Sequence, residues 1–422
     1  MSDPTKKPPY LKKPPYLVRP DTAVLTRGFD PRLSVGSARP AVFRSSTYVF
    51  SSPEAAERAF AIALGKAQAI PGESVDLIYS RLSHPNAEIL EDQIVPLEKG
   101  ATAAAVFNSG MAAISTVFTT FCAPGASFVY TTPIYGGTQH LFHQLLEPWG
   151  MRGIPARAGD TAGIRAAIAA ATDLRLVFVE TPANPTLLMT DVSDVVRAAT
   201  AHRDRPLVVV DNTFLGPAFQ HPLALGADLA VYSATKYLSG FSDMLGGVVL
   251  ARAPELVTRL RGLRAILGNI LQPDECWMLD GRLPTVNLRM NRQSKNAQRL
   301  AEALAGHPKI ERLYYPSLFT DPEQIRIRDA QCDYPGGVLA FELVGGKKAA
   351  FDVLRNLHIV KDAVSLGGVE SLACHPASTT HSELSPEELR RYGVSDALVR
   401  LSVGVEHWRD LLDEIRAALD SA

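Results

Sequence analysis

The sequence has 422 residues, of which 46% are hydrophobic and 21% are charged. At about 150 residues per domain this length suggests two or three domains, and it excludes a small module held together by disulfides. The 43 Lys and Arg residues nearly balance the 44 Asp and Glu residues, giving a net charge of -1. Such a balance provides no overall field that would attract nucleic acid or an anionic membrane, so binding specificity must come from a local site.

Cysteine spacing and hydropathy narrow the class of protein further. The four cysteines, at positions 122, 276, 332 and 374, are far apart and form no Cys-x-x-Cys pair. This spacing predicts reduced, buried thiols rather than a disulfide framework or a metal site. The N-terminus has no apolar signal-peptide core, and no apolar run approaches the roughly 18 residues of a membrane span. The sequence therefore predicts a soluble cytoplasmic protein.

Residues 6–17 read KKPPYL twice in succession. The prolines forbid helix and favour an extended, polyproline-like conformation. Such an arm could lie across a neighbouring subunit, act as a docking peptide or be a flexible terminus, and the sequence leaves these alternatives open. We predict that this arm covers residues 1–78.

From about residue 79, short apolar runs alternate with alanine-rich helical stretches, a pattern typical of a mostly parallel sheet wrapped by helices. The predicted strands are Ala104–Phe107, Ser127–Tyr130, Leu176–Val179, Leu207–Val210, Leu229–Tyr232 and Gly247–Leu250. The predicted helices are Gly110–Phe121, Thr161–Ala171 and Val192–His202. We expect this α/β domain to span residues 79–279. A smaller α+β domain is expected over 280–422, with charged helical repeats around 291–306, a strand at Val338–Val344 and a closing helix at Trp408–Leu419.

In such a sheet a ligand binds at the carboxyl ends of the strands, so the polar residues after each apolar run are candidate site residues. Four clusters follow the runs: NSGM at 108–111, ETPANP at 180–185, DNT at 211–213 and SATKY at 233–237. Taken alone, each cluster can be explained by a structural role, such as a helix cap, a turn or a surface amine. Together they supply an amine that can form an imine, hydroxyls for a phosphate and a carboxylate for a pyridine nitrogen. The combination predicts a pyridoxal phosphate site.

From about Tyr79 to the C-terminus, the sequence resembles the Cys/Met metabolism family of pyridoxal phosphate enzymes, which includes cystathionine γ-synthase, cystathionine lyases, methionine γ-lyase and the O-acylhomoserine sulfhydrylases. The matching segments are YSR at 79–81, NSGMAAI at 108–114, YGGT at 135–138, ETPANPT at 180–186, DNTF at 211–214, SATKYLSG at 233–240, SLGGVESL at 365–372, HPASTTH at 375–381 and VRLSVGVE at 399–406. The resemblance implies fold type I, the aspartate aminotransferase-like PLP-dependent transferase fold.

The resemblance also implies how the cofactor, pyridoxal 5'-phosphate, would be held. Lys236 would bind it covalently through its amine. The implied phosphate ligands are Gly110, Met111, Ser233 and Thr235 of the same chain, with Tyr79 and Arg81 of the neighbouring subunit. The implied ring contacts are Asp211 at the pyridinium, Asn184 at the ring hydroxyl and Tyr135 stacked on the ring. The implied partner is thus a second copy, in a homodimer with shared active sites and in a homotetramer built from two dimers.

The same resemblance assigns the substrate end and the chemistry. The Ser365 backbone and Arg400 would bind the carboxylate of a small amino-acid substrate, because a guanidinium matches two carboxylate oxygens. Lys236 would remove the α-proton and Tyr135 is the candidate acid for the leaving group. One site could then release 2-oxobutanoate and ammonia or add a thiol.

Some positions depart from the family pattern. His84 and Asn86 replace the common Asn and Thr after YSR, and Phe241 replaces a usual His. Val364 stands where cystathionine-handling members tend to carry Glu, and HPASTTH at 375–381 resembles the sulfhydrylases and methionine γ-lyase. Gly137, by contrast, lies where methionine γ-lyases usually have Cys. These signals favour γ-elimination or γ-replacement on methionine or O-acylhomoserine. Cystathionine γ-synthase or lyase is the alternative, and a non-catalytic binding module is a remote one.

Overall fold

The structure is a computed structural model that describes residues 18–70 and 73–422, so the KKPPYL repeat at 6–17 lies outside the described residues. The chain forms two β-sheets, one of seven strands and one of five, with helices packed on both. None of the helices in the described ranges is long and apolar enough to cross a membrane.

The larger sheet is mostly parallel, as predicted. Its strands are β1 (Ala103–Phe107), β2 (Ser127–Thr132), β3 (Arg152–Arg157), β4 (Leu174–Glu180), β5 (Leu207–Asp211), β6 (Leu229–Ser233) and β7 (Gly247–Ala251). Their order across the sheet is β1-β7-β6-β5-β4-β2-β3. Strands β2 to β6 pair in parallel, whereas β7 is antiparallel to both β1 and β6. The edge strand β3 is an addition to the predicted strands.

Both faces of this sheet are buried, which explains the nearly continuous apolar runs of its strands. In β4, Leu174, Val177 and Val179 pack into one hydrophobic cluster. Leu176 and Phe178, which point to the opposite face, pack into another. Polar residues are therefore confined to the strand ends, and the carboxyl ends of β4, β5 and β6 meet along one edge of the sheet.

Helices cover both sheets, and several coincide with the predicted ones. Their bounds are α1 (Pro20–Thr26), α2 (Pro53–Ala63), α3 (Pro85–Ile94), α4 (Gly110–Phe121), α5 (Gly136–Leu141), α6 (Thr161–Ala170), α7 (Val192–Ala201), α8 (Pro254–Leu267), α9 (Pro273–Asp280), α10 (Val286–Leu304), α11 (Pro322–Gln331), α12 (Gly346–Arg355), α13 (Pro386–Tyr392) and α14 (Trp408–Asp420). The predicted helix over 110–121 has the bounds of α4, and those over 161–171 and 192–202 are each one residue longer than α6 and α7.

The smaller sheet lies in the C-terminal part of the chain. Its strands are β8 (Ile310–Tyr314), β9 (Val338–Leu343), β10 (Lys361–Asp362), β11 (Leu372–Cys374) and β12 (Leu398–Ser402), in the order β10-β11-β12-β9-β8. Apolar residues of α10, α12 and α14 form one core with β9 and β12. The expected α+β organisation of this region is confirmed, while the domain boundaries remain predictions.

Part of the N-terminal region belongs to the main core. Val24 in α1 is buried, and its carbonyl accepts a hydrogen bond of 2.5 Å from Nε2 of Gln93 in α3. Further along, Thr47 and Tyr79 form an isolated antiparallel bridge. The chain reaches Tyr79 by way of α2, an amphipathic helix whose N-cap Ser52 accepts a hydrogen bond from the Ala55 N–H.

Candidate active site

A cavity of about 290 Å³ opens at the carboxyl ends of β4, β5 and β6. Of the predicted site residues, those that line it are Gly110, Met111, Tyr135, Asn184, Asp211, Ser233, Thr235, Lys236, Ser365 and Arg400. The first eight belong to the larger sheet and its loops, and the last two come from the C-terminal region. Tyr79 and Arg81 are the predicted site residues that do not line it.

One end of the cavity suits an anion. The first residues of α4, Gly110 and Met111, line it, and the N-cap Ser109 accepts a hydrogen bond of 3.0 Å from Ala112 N. A Cβ on Gly110 would lie 2.9 Å from Cβ of Ser233, so only glycine lets the helix start this close to the end of β6. Ser233 and Thr235 line the same cavity, and the Thr235 hydroxyl also accepts a hydrogen bond of 3.0 Å from Gly246 N. Free amides at a helix N-terminus beside two hydroxyls are a fitting cradle for a phosphate.

Lys236 lies in the middle of the cavity wall. Its Nζ donates a hydrogen bond of 2.7 Å to Oγ of Ser365. Burial, helped by the positive charge of Arg400, lowers the pKa of this amine to about 8. A lowered pKa provides more of the neutral amine near neutral pH, and the neutral amine is both the nucleophile and the proton acceptor.

Asp211 is the last residue of β5 and is buried. Its Oδ1 accepts hydrogen bonds from N and Oγ1 of Thr213, at 3.0 and 2.6 Å. No residue in the described part of the chain donates a hydrogen bond to Oδ2. Burial raises the pKa of this carboxyl, so a cationic partner in the cavity would stabilise its charged form. A protonated ring nitrogen is such a partner.

The other end of the cavity presents a buried guanidinium. Arg400 donates from Nη1 to Oδ1 of Asn184 at 3.0 Å and from Nη2 to the Ser365 carbonyl at 2.9 Å. Ser365 has a φ of 107°, a backbone conformation that non-glycine residues rarely adopt. Its carbonyl and its hydroxyl are both engaged, by Arg400 and Lys236, which holds this strained residue in place. The remaining N–H groups of Arg400 suit a carboxylate.

Tyr135 is the N-cap residue of α5, and its side chain is partly exposed at the cavity. Burial raises the pKa of its phenol, and the carboxylates of Glu383 and Glu180 raise it further. The phenol therefore keeps its proton at neutral pH and can act as an acid.

Glu180 is a lining residue that the sequence analysis did not assign. It ends β4 just as Asp211 ends β5, and the two residues are paired in the register of these strands. The rule that selected Asp211, a polar residue directly after an apolar run, also selected the 180–185 cluster that begins with Glu180, but gave this residue no role. Burial, followed by the nearby charge of Asp211, raises the pKa of Glu180.

The sequence profile described as "Cys/Met metabolism PLP-dependent enzyme" matches residues 21–420. The chain belongs to this family. It is 40% identical over 403 residues to the L-methionine gamma-lyase of Pseudomonas putida, over 95% of this chain and 97% of that protein. It is 39% identical over 341 residues to the cystathionine beta-lyase of Bacillus subtilis, over 81% of this chain and 85% of that protein.

A solved structure agrees with the family assignment. The crystal structure of cystathionine gamma synthase from Xanthomonas oryzae pv. oryzae in complex with cystathionine matches with a TM-score of 0.86 at 34% identity, over 96% of this chain and 99% of that chain. The chain is thus a PLP-dependent enzyme with the predicted fold type I, and its cofactor is pyridoxal 5'-phosphate. The phosphate cradle, Lys236 and the free oxygen of Asp211 fit this cofactor.

Two departures from the pattern of this PLP-dependent family have structural roles away from the cavity. His84 is the N-cap of α3: its Nδ1 accepts from Ala87 N at 3.2 Å, and its Nε2 lies 2.9 Å from the Leu271 carbonyl. Asn86 donates to the Ala41 carbonyl at 2.8 Å and accepts from Phe43 N at 2.9 Å. Neither residue lines the cavity, so these substitutions leave its walls unchanged.

Two other departures contact neighbouring side chains. Phe241 is half exposed and stacks under Arg282, whose Cζ is 4.9 Å from the ring centroid. A Cβ on Gly137 would lie 2.6 Å from Cε1 of Tyr135, so a larger residue at 137 would push this ring. Glycine at 137 therefore permits the observed position of Tyr135.

Proposed function

We propose that the enzyme catalyses γ-elimination or γ-replacement on methionine or an O-acylhomoserine. The observation that carries this proposal is the apolar mouth of the cavity, where Val364 and Leu245 are 54% and 63% exposed. A methylthio group or a short acyl ester makes favourable apolar contacts with such a wall. The 40% identity to the L-methionine gamma-lyase of Pseudomonas putida supports the same class of substrate.

When bound, pyridoxal 5'-phosphate supplies an electron-withdrawing ring joined to the substrate amine, which acidifies the hydrogen on the α-carbon. Lys236 is the proposed base, because it lines the cavity, is partly buried and has a pKa lowered to about 8. The free Oδ2 of Asp211 would hold the ring nitrogen of the cofactor in its protonated form. Arg400 and the Ser365 backbone orient the substrate by its carboxylate, which aligns the α-hydrogen with Lys236.

Tyr135 is the proposed acid for the departing γ-substituent. A tyrosine phenol is protonated at neutral pH, and burial together with two nearby glutamates raises its pKa further. Its Oη can then give a proton to a leaving sulfur or carboxylate. With water as the co-reactant, methionine would yield methanethiol, 2-oxobutanoate and ammonia, whereas a thiol would replace the γ-substituent.

Cystathionine is the second candidate substrate, and one observation favours it. A wider cavity of about 960 Å³ adjoins the site and shares Lys236, Leu245 and Val364 with it. Its walls also carry the charged residues Lys361 and Glu370, which could bind the distal amino-acid end of cystathionine. The similarity to the cystathionine beta-lyase of Bacillus subtilis points the same way.

Direct assay decides between the candidates. Purified protein is incubated with methionine, cystathionine, O-acetylhomoserine or O-succinylhomoserine, with and without sulfide, and 2-oxobutanoate, thiol and amino-acid products are measured. The proposal expects the highest kcat/KM with methionine or an acylhomoserine. A preference for cystathionine would make the second candidate correct, and no turnover of any of the four would contradict both.

The Val364→Glu variant should shift specificity toward cystathionine. A carboxylate at this half-exposed position can attract the distal ammonium of cystathionine, for which valine offers no charge. An ion pair at an exposed mouth contributes up to about 1 kcal/mol, which is roughly fivefold in a ratio of rates. The ratio of kcat/KM for cystathionine to that for methionine should rise by this factor and fall again in high salt.

Val364→Gln is the matched control, since glutamine has the same shape as glutamate without its charge. It should leave the cystathionine to methionine ratio near the wild-type value. An equal gain with glutamine and glutamate would show that size rather than charge matters at this position. A wild-type preference for cystathionine that neither variant changes would contradict the proposed specificity.

We further propose that the active site is shared between two copies in a homodimer, with a homotetramer as the larger assembly. Among the described residues, Lys236 and Arg400 are the cations that line the cavity, and both have other roles. A phosphate dianion held by this chain alone would therefore lack a dedicated cation. Arg81 is exposed, its guanidinium lies 5.9 Å from the centroid of the Tyr79 ring, and its Nη1 donates a hydrogen bond to the Ala265 carbonyl. The other N–H groups of this exposed guanidinium can bind a phosphate of a second copy.

A complementation experiment tests the shared site. Arg81→Ala should weaken cofactor retention, and mixing it with Lys236→Ala protein should restore turnover. Each hybrid dimer has one site without either lesion, so random exchange should give about a quarter of wild-type activity. Arg355→Ala, at an exposed arginine of α12, is the control that should retain cofactor. No recovery despite proven exchange of labelled subunits would argue against a shared site.

A further inference from the structure

Glu180 is a second buried carboxylate in the cavity, beside Asp211, and the mechanism above does not use it. It is 5% exposed, and no cation forms an ion pair with it among the described residues. A buried polar group is unfavourable unless its atoms are well hydrogen-bonded. Its hydrogen bonds therefore indicate what it does.

Both oxygens of Glu180 accept a hydrogen bond from the backbone. Oε2 accepts from the N–H of Tyr135 at 2.9 Å, and Oε1 accepts from the N–H of Asn184 at 2.9 Å. These two residues belong to different loops, which follow β2 and β4. One side chain thus joins the two loops that carry a proposed acid and a proposed cofactor ligand.

The first hydrogen bond fixes the start of α5. The Tyr135 carbonyl accepts hydrogen bonds from Thr138 N at 2.9 Å and Gln139 N at 3.1 Å. The carbonyl of Tyr135 therefore accepts the first hydrogen bonds of α5, and the N–H of Tyr135 donates to Glu180. The side chain of Tyr135 makes no hydrogen bond of its own among the described residues, so the backbone determines where its ring lies.

The second hydrogen bond supports the substrate end. Asn184 accepts from Nη1 of Arg400, and Nη2 of Arg400 binds the carbonyl of Ser365, whose hydroxyl accepts from Lys236. Glu180 therefore holds Asn184 in place, and Asn184 is connected by hydrogen bonds through Arg400 and Ser365 to Lys236, the proposed base. A glutamine would present an amide N–H to one of the two backbone donors and would lose that contact.

We propose that Glu180 is a positioning residue that joins the Tyr135 and Asn184 loops and so sets where the Tyr135 phenol lies. This inference rests on the proposed function in taking Tyr135 as the acid. Glu180→Gln should lower kcat about 10- to 100-fold, because small displacements of a reacting group have effects of this size. Binding of the cofactor should be retained.

A double-mutant cycle in the holoenzyme tests this route of action. In a Tyr135→Phe background, which lacks the phenol oxygen, adding Glu180→Gln should lower kcat by a smaller factor than it does in wild type, and the loss that remains acts through Asn184. If the full loss of Glu180→Gln persists in that background, Glu180 does not act through Tyr135 and the proposal is wrong. Glu98→Gln is the matched control: Glu98 is a buried glutamate outside the cavity that accepts from Leu223 N at 3.2 Å. Its effect on kcat should be independent of Tyr135.

Amide hydrogen exchange provides a readout that does not depend on activity or substrate. In Glu180→Gln, the amides of Tyr135 and Asn184 should exchange at least about tenfold faster than in wild type, because one or both lose their acceptor. Unchanged exchange would overturn the proposal even if the wild-type enzyme has the proposed function. If exchange is faster but the protein has none of the proposed activities, the proposed function is rejected, and the role of Glu180 in joining the two loops is supported. If Glu180→Gln and Glu180→Asp both fail to fold, Glu180 is a requirement of the fold and the proposal is rejected.

Discussion

The Lys236→Ala variant should lose turnover by roughly 10³-fold or more while keeping the fold. One positioned base contributes about 10²- to 10⁴-fold, and this amine is also assigned the covalent attachment of the cofactor. The absorbance band near ~420 nm of lysine-bound cofactor should disappear as well. Steady-state assays, absorbance and circular dichroism measure these three properties.

Two further lysine variants sharpen this experiment. Lys236→Arg keeps a positive charge in the cavity but cannot attach the cofactor, so it should be as inactive as the alanine variant. Lys348→Ala removes a lysine that is 86% exposed on α12 and should behave as wild type. Normal turnover by Lys236→Ala would reject the assignment of this residue as the site of attachment.

Asp211→Asn should still bind cofactor but turn over about 10²- to 10³-fold more slowly, the usual loss when one preorganised electrostatic contact is removed. A neutral amide at this position cannot keep the ring nitrogen protonated, so the ring withdraws electrons less strongly. The asparagine oxygen can still accept the hydrogen bonds from Thr213. The free energy of unfolding should therefore change by no more than about 1 kcal/mol.

Asp228→Asn is the control for removing a partly buried carboxylate. Asp228 accepts a hydrogen bond of 2.8 Å from Val208 N and lies outside the cavity. This variant should have a lower free energy of unfolding but an unchanged kcat per folded molecule. Asp211→Asn should instead have a lower kcat and nearly unchanged stability. Wild-type kcat in Asp211→Asn would mean that another group protonates the ring nitrogen.

The sequence predicted the central strands and the residues after them because apolar runs and their polar ends are local features. The edge strand β3 was not predicted because its sequence, RGIPAR, has little apolar character and contains Pro155. Its strand conformation depends on parallel pairing with β2, which is a tertiary contact. Edge strands that tolerate proline and glycine are poorly marked in sequence.

The sequence predicted the individual residues of the candidate site, but not the hydrogen bonds between them. Asp211 stands directly after an apolar run, and Lys236 stands in the SATKY segment that follows another, so both are recognisable there. The bond from Arg400 to Asn184 joins residues 216 positions apart, and the bond from Glu180 to the Tyr135 loop spans 45. No local pattern predicts such pairs, because they arise only when the loops pack against each other.

The pairing of Glu180 with Asp211 in the register of β4 and β5 has a consequence for changes in chain length. Residues paired in adjacent strands point to the same face of a sheet, and successive residues alternate between faces. Deleting one residue within β4 would therefore turn a carboxylate toward the opposite hydrophobic layer, or unpair the strand to avoid this. Deletions of one residue in β4 should therefore abolish folding or activity. The spacing of the two carboxylates is thus encoded in strand length rather than in the loops.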